Sequence, residues 1–591
     1  MKSFELRKKF LDFFKEKEHR IVSSSSLLPP DPTVLFTVAG MQQFKEYFVG
    51  KKDPIKDFSN NKLTSCQKCF RTSDIEEVGD NRHLTFLEML GNFSFGSYFK
   101  KEAIDFSLEF LTKICKLKPE NLYFTYFKGD KKIPEDITSK KIWLSLGIPK
   151  NKILAFDKED NFWGPTGKEG PCGPTTEIHY DSTRRPCAKG KDCLPNCECG
   201  RFIELWNLVF NEYYQDEKGK LTLLKQKGVD TGMGLERLAM ASQEKLSVFE
   251  TDLFLPIIQE IEKLSSEKYE ENKKTFRIIA DHIRGSVFLI NEGIFPSNIE
   301  QGYVLRRILR RAIRYGRIIE TKPGFLIPLA NKTIEIYKDI YPELLSKQPD
   351  ILTVIQKEEE KFEKALEKGI RETSSMITQG DISGRQAFDL YQNYGFPIEM
   401  IEEMAKEHYR KVDKQGFEKA FRKHQEVSRA GKEKKFGGGG KFSPKLHTAT
   451  HLLHSALRKV LGNKVKQMGS DITSERLRFD FSFERKLSPE ELKKIEDLVN
   501  KKIKEDLEVK KEEMPYNQAI KSGALAFFKE KYPERVFVYS IDDPSAGSGQ
   551  VFSKEICAGP HVKRTGELGK FKIIKEESSS AGIRRIKAVL E

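Results

Sequence analysis

No apolar run in this chain approaches the roughly 20 residues that a membrane-spanning helix needs. The opening segment, MKSFELRKKFLDFFKEK, mixes charge with aromatics and lacks the apolar core of a secretory signal. Membrane insertion and secretion are therefore not expected, and a cytoplasmic location is. Cysteine is scarce, nine in 591 residues, too few for a disulfide scaffold. The few present are clustered, and in a cytoplasmic chain such clusters read as metal or catalytic sites. No repeat of solenoid period occurs. Acid is also short: 103 Lys and Arg against 88 Asp and Glu leave a net charge of +15, which points weakly to a polyanionic partner. What the chain does have is 38% hydrophobic and 11% aromatic residues, a globular composition that argues against disorder. Its length corresponds to about four domains.

Residues 1–241 carry short apolar runs broken by Pro and Gly, with strand-like stretches at Val34–Val38, Thr85–Leu90 and Ile203–Phe210. From Ser242 to about Arg429 apolar residues recur at spacings of three and four, the helical period. The segment KEKKFGGGGK, residues 432–441, reads as a linker, because four consecutive glycines hold regular structure poorly. Residues 447–591 read as a compact α+β domain with a charged helix within Lys486–Asp506. The domain expectation is thus 1–241, a helical 242–431, a linker 432–446, and 447–591.

In the helical part, YVLRRILRRAIRYGR puts Arg306, Arg307, Arg310, Arg311, Arg314 and Arg317 on one side. At 100° per residue they fall within a sector of roughly 140°. Leu305, Ile308, Leu309, Ala312 and Ile313 fill the other side. A solvated basic face is the plain alternative. Six arginines without an intervening acid favour phosphate contact.

Two N-terminal segments belong together. CFRTSDIEEVGDNRHLTFLEMLGNFSFG (69–96) reads as an Arg-ended strand, a polar loop and an aromatic return strand. DTGMGLER (230–237) sets glycines before a helix that carries Arg237. Glycines let a backbone approach a ligand, and a helix N-terminus favours anions. In this order they resemble motifs 2 and 3 of the class II aminoacyl-tRNA synthetases. The stretches 27–44, 82–99, 161–178, 205–210, 229–237, 279–316 and 394–399 are similar to the alanyl-tRNA synthetase family in particular. The resemblance runs through nearly the whole chain.

That resemblance implies an α+β multidomain fold: a class II antiparallel sheet with helices, then a helical tRNA-recognition domain, then a compact editing domain. It implies activation of alanine by ATP with magnesium, transfer to tRNA(Ala), and no DNA or membrane partner. Position by position it gives Arg71 the α-phosphate and Arg237 the γ-phosphate. Phe86 would stack on adenine near His83, with Trp163 walling the pocket and Gly234 lining the ATP site. Asp230 would pair with the alanine ammonium beside Asn207, Val209 and Gly232; a helix N-cap is the plainer reading of Asp230. Leu84 stands where some members have a second histidine. Asn298 and Glu399 would read a G·U pair in the acceptor stem; the basic row read above would add Arg306, Arg310 and Arg314 to the tRNA contact. The family more often has Asp at the position of Glu399.

In the C-terminal part, HTATHLLH places His447 and His451 four apart, on one helix face with His454, and CAGPH places Cys557 and His561 four apart. Two such pairs make a plausible tetrahedral zinc set. The segment is similar to the alanyl editing domain, to which Gln467, Arg478, Asp480 and SSSAGIRRIKAV also match. That similarity makes His447, His451, Cys557 and His561 the metal ligands and leaves His454 structural. CAGPHV is nearer the threonyl form than the usual CGGTH. Neither the usual β-barrel subdomain nor the usual C-terminal domain is evident. The chain resembles a short bacterial form, expected to be a monomer. Editing is expected because a pocket separates serine or glycine from alanine by only about 1–3 kcal/mol. Cys187, Cys193, Cys197 and Cys199 suggest a structural zinc knuckle; Cys66 and Cys69 read as buried strand residues. Two other functions compete: a tRNA deacylase with a non-charging synthetase-like part, and an ATP-dependent amide ligase, which leaves the His/Cys set unexplained.

Overall fold

The computed structural model describes residues 1–591 apart from 32, 183–186, 425–443, 474, 527–533, 544–550 and 581. The glycine linker at 432–441 lies outside the described residues. The chain forms two compact units, Met1–Lys414 and Gln415–Glu591. No described helix is long and apolar enough to cross a membrane.

The first unit is organised by one sheet that contains nine of the described strands. They are β1 (Arg20–Ile21), β2 (Lys62–Phe70), β3 (Phe86–Phe95), β4 (Leu122–Phe127), β5 (Ile153–Phe156), β6 (Phe162–Trp163), β7 (Gly170–Asp181), β8 (Phe202–Gln215) and β9 (Leu221–Gly234). Their order is β1-β2-β3-β9-β8-β7-β4-β5, with β6 beside β7. Pairing is antiparallel from β2 through β9, β8 and β7 to β4. Alternation along the strands divides the side chains between two faces. Leu90, Ile178, Trp206, Leu208, Phe210, Val229 and Met233 pack with Phe10, Phe13 and Phe14 of α1 (Ser3–Glu16). On the other face Leu87, Met89, Phe93 and Phe95 pack with Met41, Phe44 and Phe48. Thr85–Leu90 and Ile203–Phe210 lie almost wholly in strands, as expected. Val34–Val38 forms none. Its polar backbone is used otherwise: Thr37 N–H donates to Leu27 O, and Thr37 O accepts from Phe70 N–H at the end of β2.

Helices complete this unit. α2 (Leu235–Ser242) follows β9 directly. α3 (Lys273–Asn291) is buried almost throughout, and α4 (Glu300–Ile318) packs along it. α5 (Gln348–Gln379) and α6 (Ile398–Glu407) supply acidic faces. Two ties hold α3 to the sheet. Asp281 accepts from Thr85 N–H at 2.9 Å and from its hydroxyl at 2.6 Å. Arg284 donates to Phe86 O and pairs with Glu236.

In the second unit, α7 (Pro444–Leu461) and α8 (Pro489–Lys504) pack on an antiparallel sheet β10-β11-β16-β15. Its strands are β10 (Gln467–Ile472), β11 (Leu477–Ser482), β15 (Phe571–Ser580) and β16 (Ile583–Leu590). A second sheet runs β12 (Val509–Pro515), β13 (Arg535–Asp542), β14 (Val551–Ile556). α8 begins with a capping box in which Ser488 and Glu491 satisfy each other's backbone N–H groups.

Candidate functional site

The face of the sheet opposite α1 holds most of the expected site residues. Register places Val209 opposite Asp230 and Asn207 opposite Gly232. Asp230 therefore lies inside β9, and the helix cap falls to Gly234, so the N-cap reading of Asp230 is set aside. The Asp230 side chain is buried, and burial pushes its carboxyl up to about 8. Among the described residues nothing donates to that carboxylate. A Cβ on Gly232 would meet Met89 Sδ at 3.0 Å, so this strand face is kept low beside Asp230. Trp163, on β6, packs against the apolar cluster of Met89 and Phe93 on the same face.

Three residues that the sequence did not single out join this surface. Glu177 accepts from Asn207 Nδ2 at 2.7 Å and lies 2.9 Å from His179 Nε2. Burial, with Glu204 and Asp160 nearby, raises its carboxyl to about 7, although His179 opposes this. Glu204 faces the same way because of a bulge. Between the pairs Ile178–Trp206 and His179–Glu204 the strand β8 has one extra residue, Leu205. Without it, alternation would put Glu204 on the face of Trp206. Arg237 Nη1 meets Glu204 Oε2 at 3.1 Å and its carbonyl oxygen at 3.1 Å. Burial works to raise the Glu204 carboxyl, but Arg237, His179 and Arg71 hold it below its ordinary value. Arg71 begins the loop after β2, its Nε donating to Val38 O at 3.3 Å. His83, late in the same loop, has Nδ1 2.7 Å from Asp80 Oδ2. Burial would raise Asp80, yet His83 and backbone N–H groups bring it down to about 2. Two half-buried arginines, Arg71 and Arg237, thus stand beside the Glu204 carboxylate, cations suited to phosphate, while the unmatched Asp230 suits an ammonium.

Phe86 does not join them. It is fully buried, its ring stacks on Phe288 at 3.9 Å and 10°, and the Arg284 guanidinium lies 4.8 Å from its centroid. The expectation that Phe86 stacks on adenine is corrected: α3 already occupies that ring.

The arginine row of α4 is also corrected. Arg306, Arg310, Arg311 and Arg314 are buried. Arg310 pairs with Glu358 at 2.5 Å, Arg311 with Glu403 at 2.7 Å, Arg314 with Glu403 at 3.3 Å and Glu407 at 2.5 Å. Arg317 pairs with Glu363, and Arg306 donates to Asn298 Oδ1. The face meets carboxylates of α5 and α6 rather than open solvent, so Arg306, Arg310 and Arg314 are not a free phosphate-binding row. Asn298 itself is exposed just before α4. Glu399, in the first turn of α6, accepts from the Tyr303 hydroxyl at 2.7 Å. The two residues assigned by resemblance to the acceptor stem thus meet the same turns of α4.

In the second unit His447, His451, Cys557 and His561 converge, their ligand atoms all within 4.8 Å of one another. His447 Nε2 lies 3.2 Å and His561 Nε2 3.4 Å from Cys557 Sγ. The opposite ring nitrogens are engaged: His447 Nδ1 donates to Pro560 O at 3.1 Å, and His561 Nδ1 lies 3.1 Å from Thr448 Oγ1. Such outer contacts fix the rings with the inner nitrogens facing the centre, as metal ligation requires. Burial lowers His447 to about 4, so its imidazole is neutral. His454 is buried and bonds Glu555 Oε1 at 2.8 Å, outside the cluster. Arg585 pairs bidentately with Asp480 at 2.6 and 2.8 Å, and Gln467 donates to Ser470 at 3.1 Å. Arg478 lies 3.7 Å from Asp480.

The sulfurs of Cys187, Cys193, Cys197 and Cys199 also lie within 4.8 Å of one another. Cys187 and Cys197 are 3.9 Å apart, Cys193 and Cys199 3.6 Å. A tetrahedron with metal–sulfur bonds of about 2.3 Å has edges of about 3.8 Å. The Lys189 N–H brings Cys187 down to about 7, toward the thiolate a metal binds. Cys69 is buried in β2 and Cys66 half-buried.

Comparisons with known proteins show the family of the chain. The family described as tRNA synthetases class II (A) matches residues 5–481. The threonyl and alanyl tRNA synthetase second additional domain matches residues 536–587. Curated relatives named alanine–tRNA ligase include that of Borrelia hermsii, 49% identical over all of both chains. That of Treponema pallidum is 46% identical over 99% of this chain and 98% of its own. That of Dehalococcoides mccartyi is 38% identical over 99% of this chain and 80% of its own.

Proposed function

The chain belongs to the class II aminoacyl-tRNA synthetases, in the alanyl family, and from that premise we propose that it is an alanine–tRNA ligase that also edits. The observation that carries the reading is Asp230: a buried carboxylate with no donor among the described residues, set beside Asn207, Val209 and Gly232. A small amino acid offers the missing ammonium, and the low wall suits a methyl side chain. In the first step an alanine carboxylate oxygen attacks the α-phosphorus of ATP, and pyrophosphate leaves with the bond to the α-phosphate. Arg71 is assigned to the charge that develops on the α-phosphate, and Arg237 to the γ-phosphate. His83, Trp163 and Gly234 line the nucleotide. ATP arrives with magnesium, which neutralises the bridging phosphate charge; Glu204, already beside Arg237, is the carboxylate available to it. In the second step the terminal ribose hydroxyl of tRNA(Ala) attacks the alanyl carbonyl and AMP leaves. Asn298 and Glu399 are assigned to the acceptor stem.

We assign activation to residues 1–241, stem recognition to 242–431 and editing to 447–591, across a linker at 432–446. Editing is hydrolysis of seryl- or glycyl-tRNA(Ala), with zinc on His447, His451, Cys557 and His561, whose nitrogen and sulfur donors suit that ion. Four protein ligands fill a tetrahedron, so this chain's own residues would place the tRNA end there. A second zinc on the four clustered cysteines would brace the loop between β7 and β8. The enzyme is read as a cytoplasmic monomer.

The test is alanine-dependent exchange of pyrophosphate into ATP, followed by hydrolysis of seryl-tRNA(Ala) with and without a zinc chelator. Exchange with alanine, and hydrolysis that the chelator suppresses, are the expected results. Hydrolysis without any exchange would leave a deacylase. Exchange without hydrolysis would leave a charging enzyme alone. Metal analysis should find two zinc ions per chain, and one after Cys187→Ala with Cys193→Ala.

A further inference from the structure

Both oxygens of the Glu399 carboxylate are already engaged inside the protein. Oε2 accepts from the Tyr303 hydroxyl at 2.7 Å, and Oε1 faces Arg307 Nη1 at 3.6 Å. The other terminal nitrogen of Arg307, Nη2, pairs with Glu76. Glu76 lies in the loop 71–85 between β2 and β3, the loop that begins with Arg71 and carries His83. Its neighbour is fastened too: Ile75 O accepts from Arg311 Nη1 at 2.7 Å, and that nitrogen lies 2.9 Å from His282 Nε2. His282 in turn sits 2.9 Å from Asp281, which holds Thr85 at the loop's end. The middle and the end of the loop are therefore set by α4 and α3. One of these ties, through Arg307, starts at Glu399.

We propose that Arg307 is a positioning residue that couples occupancy of the acceptor-stem contact at Glu399 to the setting of the ATP-binding loop through Glu76. The proposal rests on the reading of Glu399 as a nucleic-acid contact and of Arg71 and His83 as ATP contacts. A base amino group that donates to Glu399 draws on the same carboxylate charge that faces Arg307 at 3.6 Å, so it weakens that ion pair. The Arg307 side chain is only 13% exposed, whereas that of Glu76 is 55% exposed. A guanidinium held away from water is costly to leave unpaired. Weakened at Glu399, it leans more fully on Glu76, the carboxylate its other nitrogen already pairs with. Because Glu76 stands on a loop and Arg307 on a helix packed against α3, the loop is what moves. The loop is thereby held in one setting, and ATP binds a site whose ordering has already been met. Such coupling is reciprocal, so ATP must tighten the acceptor stem by the same factor that the stem tightens ATP.

The experiment uses the full chain and a hairpin RNA of the tRNA(Ala) acceptor stem whose terminal ribose lacks both hydroxyls, so that no transfer occurs. KM for ATP is measured in alanine-dependent pyrophosphate exchange with and without the hairpin. The Kd of the hairpin is measured with and without a non-hydrolysable ATP analogue. The expected ratio is about fivefold in both. A hairpin with G·C in place of G·U is expected to give a ratio of one. Glu76→Gln should bring both ratios to one while KM for ATP without RNA and Kd without nucleotide stay within about twofold of their original values. Glu76→Asp, which keeps the charge, should restore part of the ratio. A ratio of one in the unaltered protein, or a full ratio in Glu76→Gln, overturns the coupling and leaves the ligase reading standing. Absence of alanine-dependent exchange overturns that reading and the coupling with it.

Discussion

Asp230 and Glu403 are both carboxylates withdrawn from water in the first unit, and they end at opposite extremes. Burial alone acts on Asp230 and raises its carboxyl to about 8. Burial also works to raise Glu403, but Arg311, Arg314 and the Tyr315 hydroxyl bring it down to about 2. The first region leaves a buried charge unmatched among the described residues. The second sets Arg310, Arg311, Arg314 and Arg317 of α4 against carboxylates of α5 and α6. Taken together they separate two states of buried charge: an unmatched group, which the proposed function gives to a ligand, and a matched group that holds helices in place.

Removing the unmatched charge should have the largest effect on activity. Asp230→Asn is expected to cut kcat/KM for alanine in pyrophosphate exchange on the order of a thousandfold, with the fold intact. The same change should stabilise the ligand-free protein. The folded carboxyl titrates near 8 and the unfolded one near the ordinary value of about 3.9, so the folded state holds the extra proton between them. Stability is thus lost as pH rises from about 4 to about 8, and Asn removes that loss. The Tm of Asp230→Asn relative to the original should climb across this range; a constant difference would remove Asp230 from the class of unmatched charges. Removing a matched charge should do the reverse. Glu403→Ala leaves Arg311 and Arg314 without their shared carboxylate and is expected to cost about 3–5 kcal/mol in denaturant unfolding of the first unit. A loss below about 1 kcal/mol would mean that the pairs are solvated and the comparison false.

The next effect is one of pH on binding. If, as proposed, alanine binds the ionised form of Asp230, its KM should rise about tenfold for each pH unit below about 8. A flat profile from pH 6 to 8.5 would show that the carboxylate is ionised before alanine arrives. The smallest effect belongs to the pocket wall. Gly232→Ala places a Cβ 3.0 Å from the flexible end of Met89. The thioether can give way, so KM for alanine should rise by less than about tenfold while Tm holds.

Local spacing made much of this legible. The fourfold separation of His447 from His451 and of Cys557 from His561 fixes which faces they share, and the second unit brings the two pairs together. The glycines before Arg237 announced a helix start, and α2 begins where they end. What spacing could not carry was the neighbour across space. The acids that cover the arginines of α4 stand at 358, 363, 403 and 407, far from them in sequence, so the row looked open. Phe86 holds the motif 2 aromatic place by resemblance, and nothing near it in sequence announces its partners, Phe288 and Arg284 of another helix. Glu204 was missed for a different reason: the single extra residue Leu205 reverses which face it takes, and nothing in the alternation of β8 marks the bulge.

The stack of Phe86 on Phe288 also bears on how this enzyme can be rebuilt. Thr85, Phe86 and Glu236 are bound from one helix by Asp281, Phe288 and Arg284. A chimera that exchanges the helical part for that of a relative therefore cuts through a shared interior rather than through a seam. Such a graft would have to carry those three residues with their three partners as one cassette, and libraries that vary either side alone would sample mostly misfitted hybrids.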